Sequence, residues 1–289
     1  MTSPALLRRL VDSRQQFESL RPGKSELLRL LDESEVSEAV YNSNAIENST
    51  LTLEETERIL LAVEVSRHMD LREVHEAQNL ARVTEYIRNN HVAPLDLDRI
   101  RLLHQMLLSN ISEEIAGRFR RSSEYVRVGT HVAPAPEQVE ELLGSMLVTF
   151  ASTIDEPVAR VARLHLEFER IHPFNDGNGR IGRVLVNDAL YRLGFPPIII
   201  RNKGKDRYYA MLRRYDVRGE TKPFEAYLVL LMLESLHRRI AYLRGVDVRP
   251  ATEVARERTI STNVFLNHAR RQVIPAFRER GVWKIAADY

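Results

Sequence analysis

Apolar residues recur every three to four positions along most of the chain, a period that predicts amphipathic helices. Thr52-Leu53-Glu54-Glu55 is a capping box, which marks the start of one of them. Residues 244–289 are charged and weakly patterned, and we expect them to be helical as well. The other predicted helices cover residues 5–20, 24–31, 32–46, 52–65, 71–89, 94–108, 137–150, 157–171, 181–193, 206–215 and 223–242.

One segment lacks the helical spacing of apolar residues. Between Gly117 and Pro136, the run Tyr125-Val126-Arg127-Val128 alternates polar and apolar residues and ends at Gly129, which predicts a small β-hairpin. The fold class is therefore expected to be all-α, with one hairpin. We expect three regions: an N-terminal helical region (1–93), a core (94–243) and a C-terminal helical extension of unknown role (244–289).

Composition narrows the class of protein. The chain has 289 residues, of which 44% are hydrophobic and 28% charged, as in soluble globular proteins. It has no cysteine, which excludes disulfides and thiolate metal sites. The net charge of +2 gives no reason to expect nucleic-acid binding. No apolar run approaches the ~20 residues of a membrane span, and Met1-Thr2-Ser3-Pro4 lacks a signal-peptide core, so we expect a cytoplasmic protein.

The stretch from Ile171 to Arg183 lies between two predicted helices. Pro173 stops the first helix, and the second begins at the glycines of Gly177-Asn178-Gly179. Backbone N–H groups at the start of that helix point into the connecting loop. Such a helix start binds anions, and phosphate suits it.

The same stretch carries groups for phosphate chemistry. His172 could accept a proton from a hydroxyl near neutral pH, and Asp176 could bind Mg²⁺. Arg180 and Arg183 share a helical face and suit phosphate oxygens. Each residue alone would be typical of an ordinary loop or a solvated helix. Together they predict attack of a hydroxyl on a nucleotide phosphate.

The run from His172 to Arg183 resembles the signature HPFx(D/E)GNGRxxR of Fic-domain proteins and matches it at every defining position. The resemblance implies transfer of AMP from ATP to a Ser, Thr or Tyr hydroxyl of a target protein, with release of pyrophosphate. It makes His172 the general base, Phe174 a loop anchor, Asp176 the Mg²⁺ ligand and Arg183 the γ-phosphate ligand. The implied nucleotide-binding residues of the loop are Asp176, Gly177, Asn178, Gly179, Arg180, Ile181, Gly182 and Arg183.

Two further segments extend the resemblance. The predicted hairpin lies where Fic proteins carry a flap that aligns the target, which implies target binding by Val128, Gly129, Thr130 and His131. Tyr208 and Tyr209 resemble the tyrosine pair of the adenine pocket, although for these two residues alone core packing would be the better explanation. Asp216 stands where some relatives have Asn, so a polar contact with the nucleotide there is not implied.

A third segment lies upstream. Ser43-Asn44-Ala45-Ile46-Glu47-Asn48 matches the inhibitory pattern (S/T)xxxE(G/N) of Fic proteins with an N-terminal inhibitory helix, here about residues 35–48. Ser43 and Glu47 are four residues apart and share a helical face. We expect Glu47 to pair with Arg183 and so compete with the γ-phosphate.

Other interpretations stay open. His165, Glu169 and His172 have a spacing that could bind a metal, although His165 is better explained as a buried helix residue. The run 118–121 (Arg-Phe-Arg-Arg) could border the flap, be solvated or contact nucleic acid. The site could instead remove AMP or transfer another phosphate-containing group. The chain could also be a nucleotide-sensing regulator with a DNA- or partner-binding tail, but no clean helix-turn-helix is evident in 244–289. A homodimer is an open alternative.

Overall fold

The computed structural model describes residues 3–63, 69–129, 131–152 and 156–289. The described residues are mainly helical, as the sequence predicts. Their helices are α1 (Pro4–Leu20), α2 (Ser25–Ile46), α3 (Leu53–Leu60), α4 (Leu71–Asn90), α5 (Leu97–Leu108), α6 (Val139–Ser152), α7 (Pro157–Ile171), α8 (Asn178–Arg192), α9 (Lys205–Arg218), α10 (Lys222–Leu243), α11 (Ala251–Glu257) and α12 (Thr262–Arg270). The strands are β1 (Arg127–Val128), β2 (His131–Val132), β3 (Val248–Pro250), β4 (Ala276–Glu279) and β5 (Val282–Ala286).

The chain forms two compact units, a division that differs from the three regions expected from the sequence. One unit, the larger unit, contains residues 36–194 and 199–224. The other, the terminal unit, contains residues 1–35, 195–198 and 225–289.

Helices α7 and α8 form the centre of the larger unit and pack against each other. The residues of α7 at Val161, Leu164 and Phe168 are buried, as their helical spacing predicts. Helix α8 is buried along most of its length, from Asn178 to Leu190. Helices α4, α5, α6 and α9 pack around this pair. The loop that joins α7 to α8 is therefore held by a buried helix on each side.

Several local signals set the helix boundaries. The capping box is present at Thr52, whose side chain accepts from the Glu55 N–H. Pro157 starts α7, where its missing N–H costs nothing. The helix expected from residue 94 begins at Leu97 because the Asp96 side chain caps it. The helices expected at 24–31 and 32–46 are one continuous helix, α2, because no Pro or Gly interrupts that run.

The predicted hairpin is also present. Strands β1 and β2 are antiparallel, with Val128 opposite His131. Gly129 has a positive φ of 60°, as a tight hairpin turn requires. Thr130, one of the expected flap residues, lies outside the described residues.

The expectation of a helical tail is wrong in the terminal unit. Residues 244–289 form β3, α11, α12, β4 and β5, with an antiparallel sheet in the order β3-β5-β4. Each strand has only three to five residues, and charged side chains such as Arg278 and Lys284 are partly buried within them. The alternation of apolar and polar residues that predicts a strand is therefore too short, and too often broken by charged residues, to be recognised in the sequence.

None of the helices in the described ranges is long and apolar enough to cross a membrane.

Candidate active site

His172 ends α7 in a left-handed conformation, with φ 51° and ψ 61°. Its N–H donates to the Phe168 carbonyl and closes the last turn of the helix. Pro173 follows and prevents further helix. A left-handed residue that is not glycine is uncommon and costs free energy. The surrounding loop holds it there, which turns the chain sharply and aims the imidazole into a cleft.

The His172 imidazole is neutral at physiological pH. Burial, which is the largest cause, and the nearby Arg120 and His131 together lower its pKa to about 4. The Nδ1 atom lies 3.3 Å from the Glu169 carbonyl, which can only accept, so Nδ1 carries the proton. The Nε2 atom keeps its lone pair. It is the atom that can take a proton from an incoming hydroxyl.

Asn178 fixes the shape of the loop from its far end. Its side-chain amide donates to the Phe174 carbonyl at 2.8 Å, and its Oδ1 accepts from the Phe174 N–H at 2.9 Å. The side chain of Asn178 therefore binds the loop and does not face the cleft. Its backbone N–H, in the first turn of α8, remains as the group that can meet an anion.

Phe174 is fully buried, as expected for an anchor, and stacks on a histidine that the sequence analysis did not identify. The rings of His104 and Phe174 are parallel within 6°, with centroids 3.6 Å apart. His104 Nδ1 accepts from the Gly117 N–H at 3.0 Å, so Nε2 is the protonated nitrogen and donates to the Asp176 carbonyl at 3.0 Å. Burial lowers its pKa to about 4, which keeps it neutral. The spacing of His104 within α5 predicts only a buried position in the core.

Arg120 is a second residue whose role the sequence did not reveal. Its guanidinium is buried and donates to the backbone carbonyls of His172 (2.8 Å), Glu124 (3.0 Å), Pro134 (2.9 Å) and Ile171 (3.3 Å). It joins the segment that leads into the hairpin to the segment that carries the base. Its neighbour Arg121 is exposed, so the basic run is not a uniform solvated patch.

Asp176 lies at the rim of the loop in a group of alternating charges. Its carboxylate accepts from Arg72 at 2.6 Å and from Arg180 at 3.1 Å. Glu76 pairs with both arginines, at 3.2 Å with Arg72 and 3.0 Å with Arg180. Arg180 is thus held by two carboxylates, and its guanidinium is buried.

The same carboxylate is the acidic side chain that the loop offers to a cation. Among the described residues, no cluster of three or more His, Asp or Glu side chains could hold a metal, and His165, Glu169 and His172 do not form one. Mg²⁺ is commonly bound by one or two carboxylates together with substrate phosphates and water. The lone Asp176 carboxylate fits such a shared site and does not fit a cage built from protein alone.

Arg183 makes the contact expected from the upstream pattern. Its Nη2 donates to the Glu47 carboxylate at 2.9 Å, and its Nε donates to the Ser43 hydroxyl at 2.9 Å. Nη2 also donates to the Ser43 carbonyl at 2.9 Å. The end of α2 therefore covers one side of this buried guanidinium. Within the described part of the chain, Arg183 Nη1 is buried with no hydrogen-bond partner.

Two glycines of α8 allow close approaches. A Cβ at Gly179 would collide with the Glu47 carboxylate and lie 3.1 Å from Arg183 Nη1. A Cβ at Gly182 would collide with the Glu169 carboxylate and lie 3.2 Å from the His165 ring. Gly179 therefore leaves the space in which an oxyanion meets Arg183. Ile181 is buried, and neither Ile181 nor Gly182 lines the cleft.

A buried polar group lies under Arg183. His165 Nε2 and the Tyr208 hydroxyl are 2.8 Å apart, and both residues are buried, as expected for His165. Glu169 is half-buried here, with Oε1 of its carboxylate fully buried, and desolvation raises its pKa to about 7. Tyr209 is half-buried, and its hydroxyl donates to the Ile46 carbonyl at 3.2 Å. Tyr208 thus packs as a core residue, whereas Tyr209 offers more surface to a ligand.

The flap is tied to the rest of the site through His131. Its Nδ1 lies 2.7 Å from the Asp216 carboxylate, and its Nε2 lies 2.8 Å from the Arg170 carbonyl. Asp216, at the position where some relatives have Asn, therefore anchors the flap. Val128 on the opposite strand is exposed.

These residues surround one cleft of about 320 Å³. His172, Gly179, Arg183 and Glu47 line the cleft. The flap residues Val128, Gly129 and His131 and the tyrosines Tyr208 and Tyr209 line it as well. The cleft thus joins a base, a helix N-terminus and a guanidinium to a strand edge.

Part of the chain is similar in sequence to a known protein family. Residues 94–190 match the model of the Fic/DOC family. The protein adenylyltransferase Fic of Nematostella vectensis is 30% identical over 251 residues, which cover 85% of this chain and 57% of that protein. The protein adenylyltransferase fic-1 of Caenorhabditis elegans is 31% identical over 245 residues, covering 83% and 47%. The chain spans about half the length of the curated relatives it matches.

Solved structures agree. A Fic domain containing signaling protein from Bacteroides thetaiotaomicron superimposes with a TM-score of 0.75 at 29% identity, covering 82% of this chain and 97% of that one. Fic-1 from C. elegans gives a TM-score of 0.71 at 29% identity, covering 82% and 70%. The complete loop signature lies between α7 and α8, and residues 94–190 of the chain therefore contain a domain of the Fic/DOC family.

Proposed function

We propose that this chain transfers AMP from ATP to a Ser, Thr or Tyr hydroxyl of a target protein. The observation that carries the proposal is the neutral His172 imidazole, placed in one cleft with Arg183 and the start of α8. The relatives named protein adenylyltransferases support it, since they match most of this chain.

In this reaction Nε2 of His172 takes the proton of the target hydroxyl, and the hydroxyl oxygen attacks the α-phosphorus. The bond between the α-phosphorus and the oxygen that bridges to the β-phosphate breaks, so pyrophosphate leaves. The first-turn N–H groups at Asn178, Gly179 and Arg180 favour negative charge next to the attack. The low pKa of His172 keeps the base free of a proton before each turnover.

Arg183 would bind the γ-phosphate. Its Nη1 is buried without a partner among the described residues, and the missing side chain at Gly179 leaves a space beside it that the Glu47 carboxylate now occupies. A guanidinium of this kind suits phosphate oxygens. Tyr209 and Tyr208 would contact the adenine.

Asp176 would hold Mg²⁺ through one carboxylate oxygen, and ATP phosphates and water would supply the remaining ligands. When bound, the ion neutralises phosphate charge. Arg72 contacts the same carboxylate, and it would exchange this contact for another on nucleotide binding.

The target would be held by the flap. Strands β1 and β2 are a two-stranded ribbon whose Val128 edge borders the cleft. An extended segment of a target protein can pair with such an edge through its main chain. That pairing would present a side-chain hydroxyl to His172 without requiring a particular target sequence.

Glu47 would act as an inhibitor of its own chain. It is bound to the arginine that the γ-phosphate needs, and Ser43 holds the same guanidinium from the same helix. ATP that cannot reach Arg183 would place its α-phosphate off the line of attack. Transfer would then be slow until α2 moves or Glu47 is replaced.

The position of the label in ATP tests the proposed function. The Glu47→Gly chain is incubated with a cell lysate and ATP labelled in either the α- or the γ-phosphate. AMP transfer attaches the α-label to protein and leaves the γ-label in pyrophosphate. Attachment of the γ-label would indicate phosphoryl transfer instead, and release of AMP from labelled protein would indicate the reverse activity. A cytoplasmic location and a homodimer stay predictions from the sequence.

A further inference from the structure

The tail that the sequence analysis left without a role has a recognisable order of elements. Helices α11 and α12 are joined by the four residues 258–261, and strands β4 and β5 follow as a hairpin. Strand β3 precedes them and completes the sheet in the order β3-β5-β4. Two short helices with such a turn, followed by a β-hairpin, are a winged helix-turn-helix. This is the feature whose absence from the sequence pattern argued against a DNA-binding tail.

A compact core fixes the second helix in place. Phe265 and Ala269 of α12 are buried against Ala251 and Val254 of α11 and against Ile285 of β5. The four residues of the turn and this packing set the angle between the two helices. The outer side of α12 is therefore presented as a rigid surface.

That outer surface, the α12 face, consists of six exposed residues. Most of them are polar or basic, and Val264 is the one apolar member. They are Asn263, Val264, Asn267, His268, Arg270 and Arg271. Asparagine and arginine side chains are those that pair in two-point fashion with adenine and guanine edges in the major groove.

The charge around α12 has one sign. Residues 258–278 contain four arginines and no aspartate or glutamate. The acids of the neighbouring α11, Glu253 and Glu257, are paired with Arg249. The sheet acid Glu279 is paired with Lys284 and Arg238. Of the four arginines, Arg278 is paired with Glu234 of α10. The charge of Arg270 and Arg271 on α12 is not neutralised by these acids.

We propose that the α12 face binds duplex DNA in the major groove, as a function additional to the chemistry proposed for the larger unit. The recognition helix of a helix-turn-helix enters the groove, and basic side chains beside it contact phosphates. At the tip of the β4–β5 hairpin, Arg280 and Gly281 have φ of 50° and 81°, as in a two-residue turn. Such a tip can contact the DNA phosphate backbone beside the groove. A protein partner would call for a contiguous apolar patch, which this face lacks.

The test measures DNA binding by the full chain. A fluorescent duplex pool of random sequence is titrated at several salt concentrations, and bound duplexes are then selected and sequenced. The variant is Arg270→Glu combined with Arg271→Glu. The matched control is Arg8→Glu combined with Arg21→Glu, which changes the net charge equally at exposed positions of the same unit. Thermal unfolding confirms that both variants fold.

We expect the parent and the control to bind with affinity that falls steeply with salt. The α12 variant should bind at least about tenfold more weakly, with a salt slope smaller by about two. Asn263→Ala combined with Asn267→Ala should bind the random pool normally but lose the enriched sequence. Absence of DNA binding by the parent at about 50 mM salt, or equal weakening in the control, overturns the proposal. AMP transfer should be unchanged in every variant, which separates this proposal from the proposed function.

Discussion

The Glu47 carboxylate lies 2.9 Å from Nη2 of Arg183, and Ser43, one helical turn earlier, binds the same guanidinium. Both contacts come from the end of α2, so one helix occupies most of the hydrogen-bonding capacity of the arginine. A γ-phosphate would need that capacity. The competition predicts how ATP and ADP should differ.

Replacing Glu47 should increase the affinity for ATP more than the affinity for ADP, because only ATP has the γ-phosphate that competes for Arg183. We expect the ratio of the two dissociation constants to change by about tenfold, or ~1.4 kcal/mol, in Glu47→Gly. Glu47→Gln keeps the length of the side chain but removes its charge and should give a smaller change. Calorimetric titration measures both ligands. An unchanged ratio would remove the competition from the account.

A methyl group at position 179 should block the phosphate site. The Cβ of Gly179→Ala would enter the space of the Glu47 carboxylate, 3.1 Å from Arg183 Nη1. We therefore expect Gly179→Ala to reduce AMP transfer by about a hundredfold, or ~2.7 kcal/mol, even when Glu47→Gly is also present. Gly144→Ala on α6 is the matched control, since its Cβ would meet no atom within 4 Å. Full activity of the double variant would show that the γ-phosphate does not occupy the space between Gly179 and Arg183.

Arg120 should be essential for the geometry of the base. Arg120→Met removes four hydrogen bonds to backbone carbonyls on the His172 segment and the segments beside the flap. Because buried carbonyls are left unpaired, we expect a loss of roughly 3 kcal/mol in the free energy of unfolding and a strong loss of AMP transfer. Arg121→Met is the control, because Arg121 is exposed. Urea unfolding and initial rates check both. Similar values for the two variants would contradict this role.

Glu169 should make stability depend on pH. Its pKa is about 7 in the folded chain and 4.5 in an ordinary environment. Between these two pH values the folded chain therefore keeps a proton on Glu169 that the unfolded chain has lost. The stability contributed by the protonated carboxyl is complete below about pH 4.5 and is lost as the pH rises through about 7.

Glu169→Gln removes this proton exchange while keeping the shape. Its stability relative to the parent should therefore improve by roughly 2–3 kcal/mol between pH 5 and pH 8. Arg183, Glu47 and His165 face the same site in both chains and contribute equally to the background. Urea unfolding at the two pH values measures the difference. A difference that is constant with pH would show that Glu169 is ionised throughout.

The loop and the helices that flank it were predictable because their information is local. Pro173, the glycines and the capping box at Thr52 act on neighbouring residues, so their effects can be read in order along the chain. The pairing of Glu47 with Arg183 joins residues 136 positions apart and was expected only because of the family resemblance. Spacing alone indicated no more than that Ser43 and Glu47 share a helical face.

The remainder depends on contacts that no local pattern encodes. Arg120 looks like one of several surface arginines until its carbonyl partners are assembled from three segments. His104 occupies a core position of α5, and only the fold brings Phe174 against its ring. The tail was missed because its strands are short and because Arg278 packs over Trp283 with its charge paired to Glu234. Such a strand has no visible alternation.

The initial rate of AMP incorporation in four matched chains tests the central claim most directly: the parent, Glu47→Gly, His172→Ala and the double variant. With α-labelled ATP, Glu47→Gly should label protein at least about tenfold faster than the parent. The two His172→Ala chains should stay at background, since no base then accepts the hydroxyl proton. Equal rates in the parent and Glu47→Gly, or labelling by the double variant at the rate of Glu47→Gly, would contradict the account.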